Sequence, residues 1–222
     1  MATTIPAIEL TTGRDPTGSV IWLHGLGADG WDFVPIVQEL GLPETLALRF
    51  IFPHAPRQAV SINGGAVMRA WYDIALDGLA RRVDEAGILA SASTLTSLVQ
   101  GEAARGIAAD RVILAGFSQG GVIALQAGLR YPDALAGIVA LSTYLAMPGT
   151  VAVQGSAANR SVPILMAHGT QDTVIPLAMA EESRRQLLDA GYKVDWHTYP
   201  MGHSVAREEL QQISRFLQNR LK

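Results

Sequence analysis

The feature that most limits how this chain can fold is a repeated alternation of short apolar runs with longer helix-like segments. Each run has four to eight residues, and most are followed closely by Gly or Pro, which is typical of buried parallel strands. The runs cover residues 20–23, 46–52, 112–115, 136–141, 164–167 and 194–199.

The segments between the runs carry helix signals. One of them follows Pro176 and ends at Gly191, the usual order of these two residues around a helix. The predicted helices cover residues 32–40, 91–104, 119–131, 177–190 and 205–221. Such an alternation predicts one α/β domain over residues 1–222, with a mostly parallel sheet and helices on both faces. Residues 53–90 are the least regular part, and we interpret them as an excursion above the sheet.

Composition excludes several classes of function. The net charge is −3 and no basic run is present, which argues against nucleic-acid partners. The chain has no cysteine, so disulfides and thiolate chemistry are excluded. No apolar run approaches the roughly 18 residues of a membrane span, and residues 1–6 lack the charged and apolar regions of a signal peptide. We therefore expect a cytoplasmic protein without stable membrane association.

The sequence Gly116-Phe117-Ser118-Gln119-Gly120 matches the pattern G-x-S-x-G. It follows a predicted strand and opens a predicted helix, which is the context of a nucleophile elbow in the α/β-hydrolase fold. Small residues are needed on either side of the serine because the turn is tight. The pattern predicts Ser118 as a nucleophile, and the alternative is a helix-capping serine in a Gly-rich turn.

A serine nucleophile needs a base, and the chain has five histidines. In this fold the order along the chain is serine, acid, histidine, which excludes His24 and His54. His168 and His197 lie at or within predicted strands and are better explained by packing. His203 lies in the loop between the last strand and the last helix, and it is the predicted base.

The acid should follow a strand between the nucleophile and the base. Asp172 lies directly after the 164–167 run, where it can accept a hydrogen bond from His203. Its rivals are Asp133 at a helix end, Asp189 in a helix and Asp195 in a strand. The sequence therefore predicts Asp172 as the residue that orients the base.

An oxyanion hole needs two backbone donors. The N–H of Gln119 lies in the first turn of a helix, where it has no partner within the helix. The second donor comes from a loop after an early strand, and Leu26 in His24-Gly25-Leu26-Gly27 is the candidate. An ordinary Gly-rich turn is the alternative.

Together these motifs resemble those of the bacterial carboxylesterase and acyl-protein thioesterase family. The resemblance spans nearly the whole chain, including Pro53-His54-Ala55-Pro56 and Trp71-Tyr72-Asp73 in the excursion. One departure is Ser142-Thr143, where many members have Ser-Gly, and this substitution is expected to alter packing beside the nucleophile. The resemblance implies a small exposed groove instead of a large lid, no cofactor and no metal.

The implied function is a serine carboxylesterase that acts on short- to medium-chain esters. An acyl-protein thioesterase or a lysophospholipase would use the same triad, and a silent binding protein on a hydrolase scaffold is a further alternative. The resemblance places Trp71 on the acyl side of the site. Tyr144, Val174 and Met201 are candidate substrate contacts because of their positions near strand ends, with core packing as the alternative. The implied partner is a small ester or thioester, and some family members form homodimers.

Overall fold

A computed structural model describes residues 5–77 and 80–222. Its main sheet has seven strands in the order β1-β3-β2-β8-β9-β10-β11. Among the described residues the eleven strands are β1 (Ala7–Thr11), β2 (Gly18–Leu23), β3 (Leu48–Pro53), β4 (Arg57–Val60), β5 (Ala66–Arg69), β6 (Ile74–Asp77), β7 (Ala80–Val83), β8 (Val112–Phe117), β9 (Gly137–Leu141), β10 (Ile164–Gly169) and β11 (Val194–Tyr199). The α-helices are α1 (Ile36–Glu39), α2 (Glu85–Ala104), α3 (Gln119–Gly128), α4 (Val151–Gln154), α5 (Leu177–Asp189) and α6 (Arg207–Leu221).

All neighbouring strands of the main sheet are parallel except the edge pair β1–β3. Side chains of each central strand alternate between two hydrophobic clusters, as the pleat requires. Ile113 belongs to the cluster that includes α6, whereas Leu114 belongs to the cluster that includes α2 and α3. The predicted mostly parallel sheet with helices on both faces, that is, the α/β-hydrolase fold, is confirmed.

The excursion consists of two antiparallel hairpins, β4–β5 and β6–β7, followed by the start of α2. The prediction that this helix begins at Ser91 was wrong, because Asp84 caps it earlier. The Asp84 carboxylate accepts the N–H of Gly87 at 3.0 Å, and the helix begins at Glu85.

The single helix predicted over residues 32–40 was also wrong. The structure has a 3₁₀ turn over Gly30–Phe33 and only then the short helix α1. Pro35 lies between them, and its missing N–H and fixed φ explain why one turn ends and another begins there. Strand β1 was not predicted at all: it is a five-residue edge strand whose burial alternates residue by residue. In the described part of the chain, no helix is both long and apolar enough to cross a membrane.

Candidate active site

The turn between β8 and α3 holds Ser118 in an unusual backbone conformation. Its φ is 55° and its ψ is −120°, a combination that side-chain-bearing residues rarely adopt. A Cβ atom at Gly116 would lie 2.3 Å from the backbone of Gly120, and one at Gly120 would lie 2.4 Å from the carbonyl oxygen of Leu23. Both glycines are therefore required by the close approach of the strand, the helix and β2, as the elbow pattern predicts.

Thr143 supports the same turn from the loop that follows β9. Its hydroxyl donates to the carbonyl oxygen of Ser118 at 2.7 Å, and its side chain fills the space beside Gly121. The preceding residue, Ser142, has a φ of 45° and is fully buried. Thr143, which stands where many family members have Gly, thus adds a hydrogen bond to the turn of Ser118. Spacing along the chain does not reveal this role.

Asp172 and His203 form a direct hydrogen bond. His203 Nδ1 lies 2.7 Å from Asp172 Oδ2, and the carboxylate has no solvent exposure. The other oxygen of Asp172 accepts the backbone N–H groups of Val174 and Ile175, at 2.8 and 2.9 Å. Burial alone would raise the pKa of Asp172, but the bonds from His203 and from these two N–H groups outweigh it and lower the pKa. Asp172 is therefore a carboxylate at neutral pH.

A second histidine contacts the same carboxylate. His168 is fully buried, and its Nε2 lies 2.9 Å from the carbonyl oxygen of Ile175 and 3.4 Å from Asp172 Oδ2. A carbonyl only accepts, so Nε2 carries a proton. This supports the interpretation of His168 as a packed residue, and it adds a contact to the Asp172 carboxylate.

The parallel sheet brings the loop of His203 close to the turn that holds Ser118. The ring of Phe117, which precedes Ser118, lies 4.7 Å from the ring of His203 between centroids. The hydroxyl of Ser142 also contacts the carbonyl oxygen of Ser204 at 3.5 Å, so the two loops meet at the carboxyl ends of the strands. With Nδ1–H donated to Asp172, the Nε2 of His203 keeps a lone pair that can accept a proton.

The rival acids lie elsewhere. Asp195 accepts a hydrogen bond from His197 at 2.8 Å, but this pair is on β11 and its carboxylate is half-exposed. Asp189 is an exposed ion-pair partner of Arg185 on α5. Asp133 is exposed in the turn after α3.

A small cavity of about 190 Å³ opens over Ser118. Both candidate oxyanion residues, Leu26 and Gln119, line it, and so do Tyr144 and Val174. It also has walls that were not predicted as substrate contacts, since the excursion contributes Ile62, Asn63, Tyr72 and Ile74. Of these four, Tyr72 belongs to the Trp71-Tyr72-Asp73 motif that resembles the family's excursion.

A larger groove of about 610 Å³ adjoins this cavity and shares four of its wall residues, Tyr72, Ile74, Tyr144 and Val174. Trp71 and Met201 line neither space. Trp71 is 2% exposed and packs on His24, so its predicted place on the acyl side is not what the structure shows. Met201 lies in the loop before His203, where its carbonyl oxygen packs closely against Gly169.

Glu209 is buried in α6, just after the His203 loop. One carboxyl oxygen accepts the N–H of Ala206 at 3.1 Å, and the other has no hydrogen-bond partner in the described part of the chain. Burial raises the pKa of Glu209 to about 7. The start of α6 therefore changes its charge near neutral pH.

A strained serine on a strand–helix turn, with an Asp–His pair at the same edge of the sheet, is the arrangement expected of a hydrolase of the α/β type. The chain matches the Phospholipase/Carboxylesterase family over residues 5–221. It therefore belongs to that family and is a hydrolase.

The relatives agree with this assignment. The chain is 43% identical to "Acyl-protein thioesterase 1" of Neurospora crassa, over 92% of this chain and 87% of the relative. It is 36% identical to the protein of the same name from Yarrowia lipolytica, over 98% of both. The crystal structure of Arabidopsis thaliana SOBER1 matches with a TM-score of 0.87 and 31% identity, covering 92% of this chain and 99% of that one. The restriction to bacterial members is not supported, because these relatives are fungal and plant proteins.

Proposed function

We propose that this hydrolase is a serine carboxylesterase that cleaves short- to medium-chain esters through an acyl-enzyme on Ser118. The observation that carries the proposal is the 2.7 Å bond between His203 and the buried Asp172, at the same sheet edge as the strained Ser118 turn. This is the arrangement that converts an alcohol into a nucleophile.

In the first step, His203 Nε2 takes the proton of Ser118 as its oxygen attacks the ester carbonyl. Asp172 keeps the proton of His203 on Nδ1 and stabilises the imidazolium that forms. The N–H groups of Leu26 and Gln119 donate to the developing oxyanion, each contributing about 3 kcal/mol in the transition state.

The alcohol then leaves with the proton from His203, and the acyl group remains on Ser118. A water molecule repeats the sequence: His203 takes its proton, the hydroxide attacks the acyl carbon, and Ser118 leaves as the alcohol. The products are one acid and one alcohol, and the resting protonation state is restored.

The acyl preference follows from the two connected spaces. The small cavity at Ser118 accommodates a short acyl group, and the adjoining groove has a size typical of ligand pockets, roughly 300–1,000 Å³. Tyr144 and Val174 lie on the boundary between them and are proposed substrate contacts.

A second candidate is an acyl-protein thioesterase. The names of the fungal relatives favour it, and a thioester would use the same nucleophile, base and oxyanion donors. A lysophospholipid is the third substrate class that this site chemistry allows.

The test is hydrolysis of p-nitrophenyl esters from acetate to palmitate, alongside thiocholine thioesters of the same acyl chains, with the wild type and Ser118→Ala. The proposal expects ester turnover with an optimum at short to medium chains and its loss in the variant. A kcat/KM that is higher for every thioester than for its matched ester would move the assignment to the second candidate. A folded wild type that hydrolyses neither series would overturn both, and lysophospholipids would be tried next.

A further inference from the structure

The two candidate oxyanion residues lie 93 positions apart in sequence, yet buried hydrogen bonds connect their surroundings. The first link is the side chain of Gln119. Its amide oxygen accepts the backbone N–H of Trp71 at 2.8 Å, and its amide nitrogen donates to the carbonyl oxygen of Tyr72 at 2.7 Å. The residue that offers an N–H to the oxyanion therefore also fixes the excursion backbone.

The second link is the indole of Trp71. Its N–H donates to the carbonyl oxygen of His24 at 2.9 Å, and the Trp71 and His24 rings lie 5.2 Å apart between centroids. His24 begins the loop that carries Leu26. The contact thus runs from the excursion to the loop of the other oxyanion donor.

The third link is the imidazole of His24, which is 1% exposed. Its Nε2 accepts the N–H of Ala55 at 3.1 Å, so in the neutral ring the proton lies on Nδ1, which is 2.7 Å from the carbonyl oxygen of Gly25. Burial lowers the pKa of His24, in keeping with a neutral ring that has a lone pair for Ala55.

Helix α3 also contacts the backbone of His24. A Cβ at Gly120 would lie 2.7 Å from the carbonyl oxygen of His24, so the nucleophile helix packs directly on this residue. The His24 carbonyl is thus held between α3 and the Trp71 indole.

We propose that Trp71 is a positioning residue for the oxyanion hole. Its indole N–H fixes the carbonyl of His24, and His24 begins the loop that carries Leu26. The N–H of Leu26 is thereby held in place relative to the N–H of Gln119. The proposal rests on the proposed hydrolase mechanism. Oxyanion donors act only when they lie about 2.7–3.1 Å from the developing charge. A displacement of the loop that carries Leu26 therefore weakens binding of the transition state more than binding of the substrate. Trp71 acts in this way from beneath the cavity and not as a wall of it.

The test compares Trp71→Phe with Trp22→Phe. Trp22 is the matched control: it is 1% exposed, it stacks on Phe33, and its indole N–H has no hydrogen-bond partner in the described chain. Both changes remove a buried indole and keep an aromatic ring. Only the change at Trp71 removes a hydrogen bond to the oxyanion loop.

For Trp71→Phe the proposal expects kcat to fall by about 10- to 100-fold while KM stays within about twofold, and affinity for a trifluoromethyl ketone inhibitor to fall in parallel. Trp22→Phe should keep both values within about threefold. A Trp71→Phe variant whose kcat equals that of Trp22→Phe would overturn the inference. So would a raised KM with unchanged kcat, which is the behaviour of a substrate wall.

Gln119→Met provides an independent check if Trp71→Phe does not fold. It keeps the backbone N–H and the side-chain length but loses both amide hydrogen bonds, and it should show the same loss in kcat and inhibitor affinity. A Gln119→Met enzyme with wild-type kcat would also overturn the inference. Wild-type turnover that is absent, or that survives in Ser118→Ala, would instead count against the proposed function.

Discussion

Replacing Asp172 by Asn tests the orientation of the base most sharply, because both oxygens of the carboxylate accept hydrogen bonds. One oxygen accepts two backbone N–H groups, from Val174 and Ile175, and the other accepts from His203. An amide has the same shape but replaces one acceptor with a donor.

The amide has two orientations, and both fail. If its oxygen faces the two backbone N–H groups, its NH₂ faces His203, which must then turn a lone pair on Nδ1 toward it and carry its proton on Nε2. That tautomer cannot accept the proton of Ser118. If the amide is flipped, its NH₂ opposes two backbone donors in a buried place, at a cost of about 1–3 kcal/mol for each unpaired group. The first orientation is therefore favoured.

The wrong tautomer is expected to lower kcat by about 10⁴-fold, which corresponds to about 5.5 kcal/mol in the activation free energy. The assay is steady-state hydrolysis of the best p-nitrophenyl ester at pH 8, with thermal melting to verify folding. KM should change little, because Asp172 does not contact the substrate.

Asp195→Asn is the matched control. It makes the same carboxylate-to-amide change in another Asp–His pair with a hydrogen bond of similar length, to His197, away from the turn of Ser118. It should keep kcat within about twofold of wild type. A folded Asp172→Asn enzyme that retains more than a tenth of wild-type kcat would refute the role given to Asp172. An Asp195→Asn enzyme that loses activity would indicate that Asp195 and His197 form the catalytic pair instead.

Three further predictions concern stability. Because the pKa of Glu209 is raised to about 7, its protonated form contributes stability that is fully present below about pH 4.5 and is lost as the pH rises through about 7. In urea unfolding this contribution should be about 2 kcal/mol larger at pH 5.5 than at pH 8.5, and Glu209→Gln should abolish that difference. Thr143→Val removes the 2.7 Å bond to the carbonyl of Ser118 and should cost about 1 kcal/mol in the same experiment; an unchanged midpoint would show that the bond is not needed. Gly120→Ala places a methyl group 2.4 Å from the Leu23 carbonyl and should lower stability by about 3 kcal/mol, and a melting temperature equal to wild type would contradict the close approach.

The sequence predicts those parts of the molecule that depend on local pattern and on chain order. The elbow glycines follow from a steric requirement within five residues. The order serine, acid, histidine excludes His24 and His54, and the position in a loop after a strand favours Asp172 and His203 over the remaining rivals. Strand β1 escaped prediction because it is a short edge strand, half-exposed along its length, with little hydrophobic signal.

The sequence could not predict contacts that join distant segments through buried polar groups. Trp71 was assigned to the acyl side, but its indole donates to the carbonyl of His24, 47 positions earlier, a contact that no spacing encodes. The hydroxyl of Thr143 meets the carbonyl of Ser118 only because β8 and β9 are neighbours. The start of α2 was misplaced because Asp84 was not recognised as its cap.

We propose that Ser118 is a nucleophile activated by His203 and Asp172. The most direct test is labelling with a fluorophosphonate, followed by intact-mass measurement and peptide mapping. We expect one adduct per chain, located on Ser118, which is absent in Ser118→Ala and forms much more slowly in Asp172→Asn. An unlabelled but folded wild type, or an equal adduct in Ser118→Ala, would contradict it.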